Sequence, residues 1–199
     1  MSAPVAPREL RLGDFLDGAV LKDPVRLSAE GLPTVILDPA AQTYHAPAGL
    51  KPLGGWCTRT LQLTDFQPID NVELTAAQAA FPAQPWPRLR WLAGLLGSSG
   101  QFAAELDPTA RYKLARWPQS ERDFPRHFRI ATAMMKTAAT AQEIAEQAGT
   151  PVADVIDFIN GYHATGFIHM EGGELEEIAQ REQGRGNNLL SRWRKPFGN

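Results

Sequence analysis

Residues 124–170 read FPRHFRIATAMMKTAATAQEIAEQAGTPVADVIDFINGYHATGFIHM, and this stretch decides the fold of the C-terminal half of the chain. Apolar side chains recur at helical spacing in three segments of it, which are residues 128–135, 140–148 and 151–165. Thr140 and Glu143 have the spacing of a capping box, and Gly149 is a typical left-handed helix stop. We therefore expect three successive helices, followed by a strand over residues 167–170.

The same spacing predicts which helix faces are buried. In the first helix, the apolar residues expected to face the core are Phe128, Ile130, Ala131 and Met134. In the third helix, the expected set is Val152, Val155, Ile156, Ile159 and Tyr162. The polar residues between them are expected at the surface.

The N-terminal half alternates between strand and helix patterns. Residues 33–46 contain a β-branched apolar run, an Asp-Pro turn starter and a second strand pattern, which together predict a β-hairpin. The alternation WCTRTLQL predicts a further strand over residues 56–63. Short helices are expected over residues 72–81 and 88–96, and a strand over residues 110–117. This mixture predicts an α+β (or α/β) class, with a hairpin-containing sheet in the N-terminal domain.

These patterns divide the chain into four parts. They are a flexible N-terminus over residues 1–9, an α/β-type domain over 10–118, a helical module over 124–172 and a basic, aromatic tail over 181–199. Residues 171–180 hold four Glu and no Lys or Arg, which marks a break in composition before the tail.

Composition places the chain among globular proteins. It has 199 residues, 43% of them hydrophobic, and a net charge of −2, so charge alone gives no reason to expect nucleic acid or a membrane surface. No apolar run reaches the ~18 residues of a membrane-spanning helix, and residues 1–12 lack the apolar region of a secretory signal. Cys57 is the single cysteine, which excludes an internal disulfide and favours a reducing, cytoplasmic location.

The residue types that carry enzymatic chemistry do not form a recognisable site. The four His are not spaced as metal ligands, and one Cys cannot build a zinc cluster. Cys57 is expected to be a buried structural thiol, and Ser98-Ser99 to lie in a loop that ends a helix. No glycine-rich phosphate loop is present. The sequence therefore predicts no catalytic, cofactor-binding or metal-binding residues, and a protein that is not an enzyme.

Residues 140–168 resemble the winged-helix superfamily. The matching features are the capped helix over 140–148, the tight turn Ala-Gly-Thr-Pro over 148–151, the longer helix over 152–165 and the Thr-Gly-Phe-Ile that leads into a strand. The resemblance implies a winged-helix module over residues 124–172 with a very short wing. Winged helices serve DNA binding and protein contact alike, so the resemblance implies the fold more than the function.

A helix that reads DNA must offer hydrogen-bond donors to base edges. In the helix after the tight turn, Asp154 and Asp157 occupy early exposed positions and would repel phosphates, which leaves Asn160 and His163 as donors. Residues 126–170 carry three basic and four acidic side chains, a net charge of −1. These four side chains therefore define a candidate docking helix for a protein partner, and DNA binding becomes the alternative.

The C-terminal tail is the second candidate interaction segment. Residues 181–199 contain five Arg or Lys and one Glu. Its candidate partner-binding residues are Leu189, Leu190, Arg192, Trp193, Arg194, Lys195 and Phe197. In a helix, the four apolar residues among these would form one stripe that could enter a groove on a partner or rest on an anionic surface. The alternatives are a solubilising end and a tail that packs Trp193 onto its own domain.

Together these observations predict a non-enzymatic adaptor or regulatory protein that acts through protein–protein interaction and needs no cofactor. The segment around Gly94–Gly97, the stretch ARYKLARWP and the C-terminal helix pair resemble small proteobacterial proteins near motility or small-GTPase signalling systems, which implies bacterial signalling or motility. The alternative is a winged-helix transcription regulator. A small ligand such as a nucleotide in the N-terminal domain, and a homo-oligomer, both stay open from the sequence.

Overall fold

The computed structural model describes residues 10–17, 20–118, 124 and 126–172. The helices of this part are α1 (Leu12–Asp17), α2 (Gly54–Thr58), α3 (Asn71–Ala80), α4 (Trp86–Gly97), α5 (Arg126–Lys136), α6 (Ala141–Ala148) and α7 (Val152–His163). Its strands are β1 (Val25–Leu27), β2 (Val35–Asp38), β3 (Thr43–His45), β4 (Phe66–Pro68), β5 (Gln84–Pro85), β6 (Arg111–Leu114) and β7 (Ile168–Glu171). The predicted α+β class is confirmed.

The chain groups into two compact units. The first lies within residues 1–101 and 156–167, and the second within residues 102–155 and 168–199. The limits of these units differ from those of the predicted domains. The division into the predicted domains stays a prediction. The predicted flexible N-terminus and the predicted tail lie outside the described residues.

The first unit is built on a five-stranded antiparallel sheet with the strand order β4-β1-β2-β3-β5. The predicted hairpin is confirmed as β2 and β3, in which Leu37 lies opposite Tyr44. The Asp38 carboxylate accepts a hydrogen bond from the Ala41 backbone N–H at 3.1 Å. This side-chain bond orders the turn that the Asp-Pro pair starts.

Helices flank both faces of this sheet. Leu27 and Phe66 are register partners and point to one face, where the Phe66 ring lies 4.5 Å from the ring of Phe15 in α1. The α1, α2 and α4 helices pack on one another on that side. Arg26 points to the opposite face, where its guanidinium donates a hydrogen bond of 2.6 Å to Glu73 of α3. Alternate side chains of β1 therefore point towards helices on opposite faces of the sheet.

The predicted strand over residues 56–63 is wrong, because this segment begins in the short helix α2. Trp56 and Cys57 are neighbours in sequence, and both are buried, with 2% and 0% of their surfaces exposed. In a half-buried strand, neighbouring side chains point to opposite faces, so that geometry would expose one of them. A 3-10 turn over Lys51–Leu53, with Pro52 near its start, leads the chain into the helix instead.

The other predicted elements of the N-terminal half are confirmed with small shifts at their ends. The expected helices over 72–81 and 88–96 are α3 and α4, and the expected strand over 110–117 contains β6. The Asp70 carboxylate caps α3 by accepting a hydrogen bond from the Glu73 backbone N–H at 2.8 Å. A proline stands in the first turn of α4, where its missing N–H costs nothing.

Within the first unit, α4 approaches residues 156–167 closely at two glycines. A Cβ on Gly94 would lie 2.9 Å from the Asn160 carbonyl oxygen and 3.0 Å from the Gly161 Cα. A Cβ on Gly161 would lie 3.1 Å from the Trp91 carbonyl oxygen. Only residues without a side chain allow this backbone-to-backbone contact, which brings the second half of α7 against α4.

The single cysteine should be unreactive in the folded protein. The Cys57 thiol is 0% exposed and donates a hydrogen bond to the Leu53 carbonyl oxygen at 3.7 Å, and burial raises its pKa to about 12. Because the thiolate is the reactive form, we expect DTNB to label the native protein only at the rate of unfolding. Labelling in concentrated guanidinium chloride is the control and should be immediate. Rapid labelling of native protein would contradict the buried position.

Candidate functional site

The second unit contains a small antiparallel sheet. β6 pairs with β7, from Arg111 opposite Glu171 to Leu114 opposite Ile168. Tyr112 also forms a bridge with Ala139, through backbone hydrogen bonds of 2.8 and 3.2 Å. The α5 helix packs against both β6 and α6. β6 therefore lies between the chain at residue 139 and β7, with α5 beside it.

Both predicted ends of α6 are confirmed. The Thr140 hydroxyl accepts a hydrogen bond from the Glu143 backbone N–H at 3.3 Å, and the Glu143 carboxylate accepts one from the Thr140 backbone N–H at 2.8 Å. Gly149 closes the helix in the left-handed region, with φ 61°. The backbone hydrogen bond from Thr140, aided by the charge of Arg111, lowers the pKa of Glu143. Glu143 thus caps α6 and also ties it to β6, since it lies 3.0 Å from the Arg111 guanidinium.

The predicted buried face of α5 needs a correction. Phe128, which was expected in the core, is 59% exposed, whereas His127 is 6% exposed. His127 completes the helical spacing of the buried face, whose other members include Ile130, Ala131 and Met134. Phe128 lies about 100° around the helix from His127, outside the arc that His127 shares with Ile130 and Met134. Val152, also expected in the core, is 39% exposed at the first residue of α7.

Trp117 and Phe128 form an exposed aromatic pair. Their ring centroids are 5.6 Å apart and their planes meet at 68°, which is an edge-to-face arrangement. Trp117 remains 47% exposed. They are the aromatic members of the exposed large hydrophobic side chains in the described part of the chain, where the others are Leu10, Val20, Leu63, Val72 and Val152. The sequence patterns did not predict this pair. β6 ends at Leu114, so Trp117 lies beyond the strand.

The candidate docking helix begins with Asp154, which belongs to the second unit. Its carboxylate forms an ion pair of 2.7 Å with the Arg126 guanidinium of α5, with 32% and 69% of the two side chains exposed. Burial lowers the pKa of His127 to about 4, and the negative charge of Asp154 opposes that shift. Asp154 therefore links the first turn of α7 to α5.

The remaining residues of the candidate docking helix lie in the first unit. The Asp157 carboxylate accepts hydrogen bonds from the Ser98 hydroxyl and from the Gly100 backbone N–H, the latter at 2.7 Å. Asn160 is 4% exposed, and its amide donates to the Gln101 carbonyl oxygen at 2.8 Å. Both side chains hold the loop that follows α4 in place. This is the loop that the sequence predicted at the end of that helix. His163 is half-buried near the end of α7. A role of these residues in docking stays a prediction.

The first unit also has a concave surface between its sheet and α3. The cavity has a volume of about 590 Å³, and Arg26, Gln67 and Glu73 are among its lining residues. The Arg26 guanidinium donates to Glu73 at 2.6 Å and to Gln67 at 2.7 Å. The Ser28 and Thr34 hydroxyls add further polar groups. This surface can hydrogen-bond a polar ligand, although its main positive charge is already paired with Glu73.

The described ranges contain neither a cluster of metal ligands nor a membrane-spanning helix. No group of three or more His, Cys, Asp or Glu side chains there is placed to hold a metal ion. No helix in the same part of the chain has the length and apolar character needed to cross a membrane. The candidate tail residues from Leu189 to Phe197 lie outside it. Comparison with protein-family models, curated proteins and solved structures found no significant match.

Proposed function

We propose that this protein is a non-enzymatic adaptor or regulator that binds another protein, and that the Trp117–Phe128 pair is the centre of the binding surface. The observation that carries this proposal is the exposure of two touching aromatic side chains in one unit. Aromatic residues bury a large area at a small entropic cost and dominate the binding energy of many interfaces. A partner that covers both rings would remove that apolar area from water.

The proposal includes a winged-helix arrangement for residues 124–172. The capped helix α6, the turn at Gly149, α7 and then β7 follow in the order that such a module requires. Asp157 and Asn160 of α7 are engaged in hydrogen bonds with residues 98–101, which favours binding through α5 over binding through α7. A cytoplasmic location and a role in bacterial signalling or motility belong to the same proposal, and the buried free thiol of Cys57 suits a reducing compartment.

A DNA-binding regulator is the alternative, and the helix-turn-helix order of α6 and α7 is the observation that favours it. Base readout needs accessible donors on the second helix, however, and Asn160 is 4% exposed. A mobility-shift assay on genomic fragments at low and moderate salt separates the two functions. Binding that is driven by phosphate contacts must weaken steeply as salt rises.

Replacing both rings (Trp117→Ser with Phe128→Ser) should abolish tight partner binding and leave the fold intact. Crosslinking in cells, followed by mass spectrometry, would identify the partner, and calorimetry with the purified partner would measure affinity. We expect the double substitution to weaken binding at least ~30-fold, since the loss of even one hot-spot aromatic typically costs about 2 kcal/mol or more.

Val72→Ser is the matched control for this experiment. Val72 is apolar and 77% exposed, but it lies on α3 in the first unit. The control variant should bind as the wild type does and show the same circular dichroism. A double variant with wild-type affinity for the purified partner would contradict the proposed surface. DNA binding with a steep salt dependence would support the alternative.

A further inference from the structure

The cavity between the sheet and α3 has a polar floor because of strand alternation in the first unit. Leu27 and Val35 are register partners, and both are buried on the face of the sheet that meets α1. Their neighbours Arg26, Ser28 and Thr34 point to the opposite face and line the cavity. The Ser28 and Thr34 hydroxyls are 3.4 Å apart. The cavity volume of about 590 Å³ lies within the range of about 300–1,000 Å³ that is typical of small-molecule sites.

The α3 helix leaves room for a ligand because it faces this floor with small side chains. Besides one glutamate, the α3 residues that line the cavity are Ala76, Ala77 and Ala80. An alanine side chain is a single carbon, so space stays between the helix and the polar side chains of the sheet. Ile36 and Phe81 also line the cavity and add apolar surface for the C–H groups of a ligand.

The charges that line the cavity cancel. Among the described residues that line it, the charged ones are Arg26 and Glu73, and they form a partly exposed ion pair of 2.6 Å. An anion near the guanidinium would also meet the Glu73 carboxylate, and a cation near the carboxylate would also meet Arg26. The lining therefore favours a neutral ligand over a phosphate, a carboxylate or an amine.

The same groups place hydrogen-bond donors and acceptors side by side. The Arg26 guanidinium carries five N–H groups, of which one donates to Glu73 and one to the Gln67 side-chain oxygen. The Gln67 NH₂ group is a further donor, and the Glu73 carboxylate has the capacity to accept further bonds. A sugar has the matching pattern, because each of its hydroxyls donates and accepts, and two adjacent hydroxyls can bond a carboxylate and a guanidinium that lie together.

We propose that the cavity between the sheet and α3 binds a neutral sugar. One sugar hydroxyl donates to the Glu73 carboxylate, and the adjacent hydroxyl accepts from the Arg26 guanidinium. The Ser28 and Thr34 hydroxyls extend the polar contact, and Phe81 contacts the C–H groups of the sugar ring. This site lies in the first unit and goes beyond the proposed protein-binding function, on which it does not depend.

Titration of the ¹⁵N-labelled full-length chain with sugars, followed by NMR, tests the proposal. The probes are glucose, galactose, mannose and N-acetylglucosamine, and the uronate of each is an anionic counterpart of nearly the same size. We expect a neutral sugar to shift the backbone amides of residues 26–28, 34–36 and 73–81 in a saturable way. Its uronate should bind at least about tenfold more weakly, because its carboxylate meets the Glu73 carboxylate.

Two substitutions in α3 distinguish a sugar in the cavity from a sugar bound elsewhere. Ala76→Phe places a ring in the cavity and keeps every polar group of the lining, so it should abolish the saturable shifts. Ala79→Phe is the matched control, because Ala79 is an exposed residue of the same helix that does not belong to the described lining. This variant should bind the sugar as the wild type does.

Arg26→Met should weaken sugar binding at least about tenfold, because it removes the guanidinium donors. Its circular dichroism should match that of the wild type, since a partly exposed ion pair contributes little to stability.

Each contrary result overturns a stated part of the proposal. Shifts that persist in Ala76→Phe would mean that the sugar binds outside the cavity. Uronates that bind as tightly as the neutral sugars would overturn the neutral ligand. If none of the four sugars gives saturable shifts at these amides, the sugar site is wrong. None of these results bears on the Trp117–Phe128 surface, which is tested by partner binding.

Discussion

Gly94→Ala should destabilise the first unit by about 2–3 kcal/mol and lower its melting temperature by roughly 5–10 °C. In an unobstructed helix interior the same change would stabilise by about 1 kcal/mol, because alanine has the higher helix propensity. Here the new Cβ would lie 2.9 Å from the Asn160 carbonyl oxygen and 3.0 Å from the Gly161 Cα. Both are backbone atoms, which cannot rotate away, so the helices must separate and lose packing along their contact.

Gly13→Ala is the control, because Gly13 also lies in a helix of the first unit. Its Cβ would lie 3.7 Å from the Ala93 Cβ, which is an ordinary van der Waals contact, so the variant should be as stable as wild type or slightly more stable. Thermal and guanidinium unfolding would compare the three proteins. Hydrogen exchange should also become faster in residues 156–167 of Gly94→Ala. Equal stabilities of the two variants would show that α4 and the second half of α7 do not approach as closely as the structure has them.

Lowering the pH from 6.5 to about 4 should cost the folded protein up to about 3 kcal/mol through His127. Burial lowers the pKa of His127 from 6.5 to about 4, because the charged imidazolium is poorly solvated there, while Asp154 partly offsets the effect. Within that window the unfolded chain binds a proton that the folded chain does not. The stability is therefore complete above pH 6.5 and declines as the pH falls towards 4.

Urea unfolding across this pH range would measure the effect as a difference between proteins. In His127→Gln the decline should be shallower than in wild type, because the carboxylates still titrate but the imidazole is gone. His169→Gln is the matched control, since His169 is an exposed residue of β7, and this variant should follow the wild-type curve. Parallel curves for wild type and His127→Gln would mean that His127 is not held neutral by burial.

The sequence predictions that are confirmed depend on interactions between residues a few positions apart, and those that are wrong depend on packing against distant residues. The β2–β3 hairpin and the cap of α6 were predictable because their turn and cap residues lie within a few positions of the groups they bond. The strand expected over residues 56–63 is wrong. Alternating apolar and polar side chains predict a strand with one buried face, whereas the neighbours Trp56 and Cys57 are both buried. Phe128 was likewise expected in the core, whereas the structure exposes it and buries His127.

The candidate surface was the least predictable feature. Periodicity marks apolar residues that repeat on one face of a single element, whereas Trp117 lies after the end of β6 and Phe128 lies in α5. Its exposure depends on what other elements leave uncovered, which a single segment does not encode.

By itself, the sequence determined the mixture of helices and strands, the ends of α6 and the order of α6, α7 and β7, because capping and helical periodicity act over a few neighbouring residues. The tertiary structure alone decided what the polar residues of α7 do. Asp157 and Asn160 bond to Ser98 and Gln101, each 59 positions away in sequence, and their predicted role in docking stays a prediction. The physical reason is that a hydrogen bond between distant residues forms only where packing brings their backbones together, and the small glycines of α4 and α7 permit that approach.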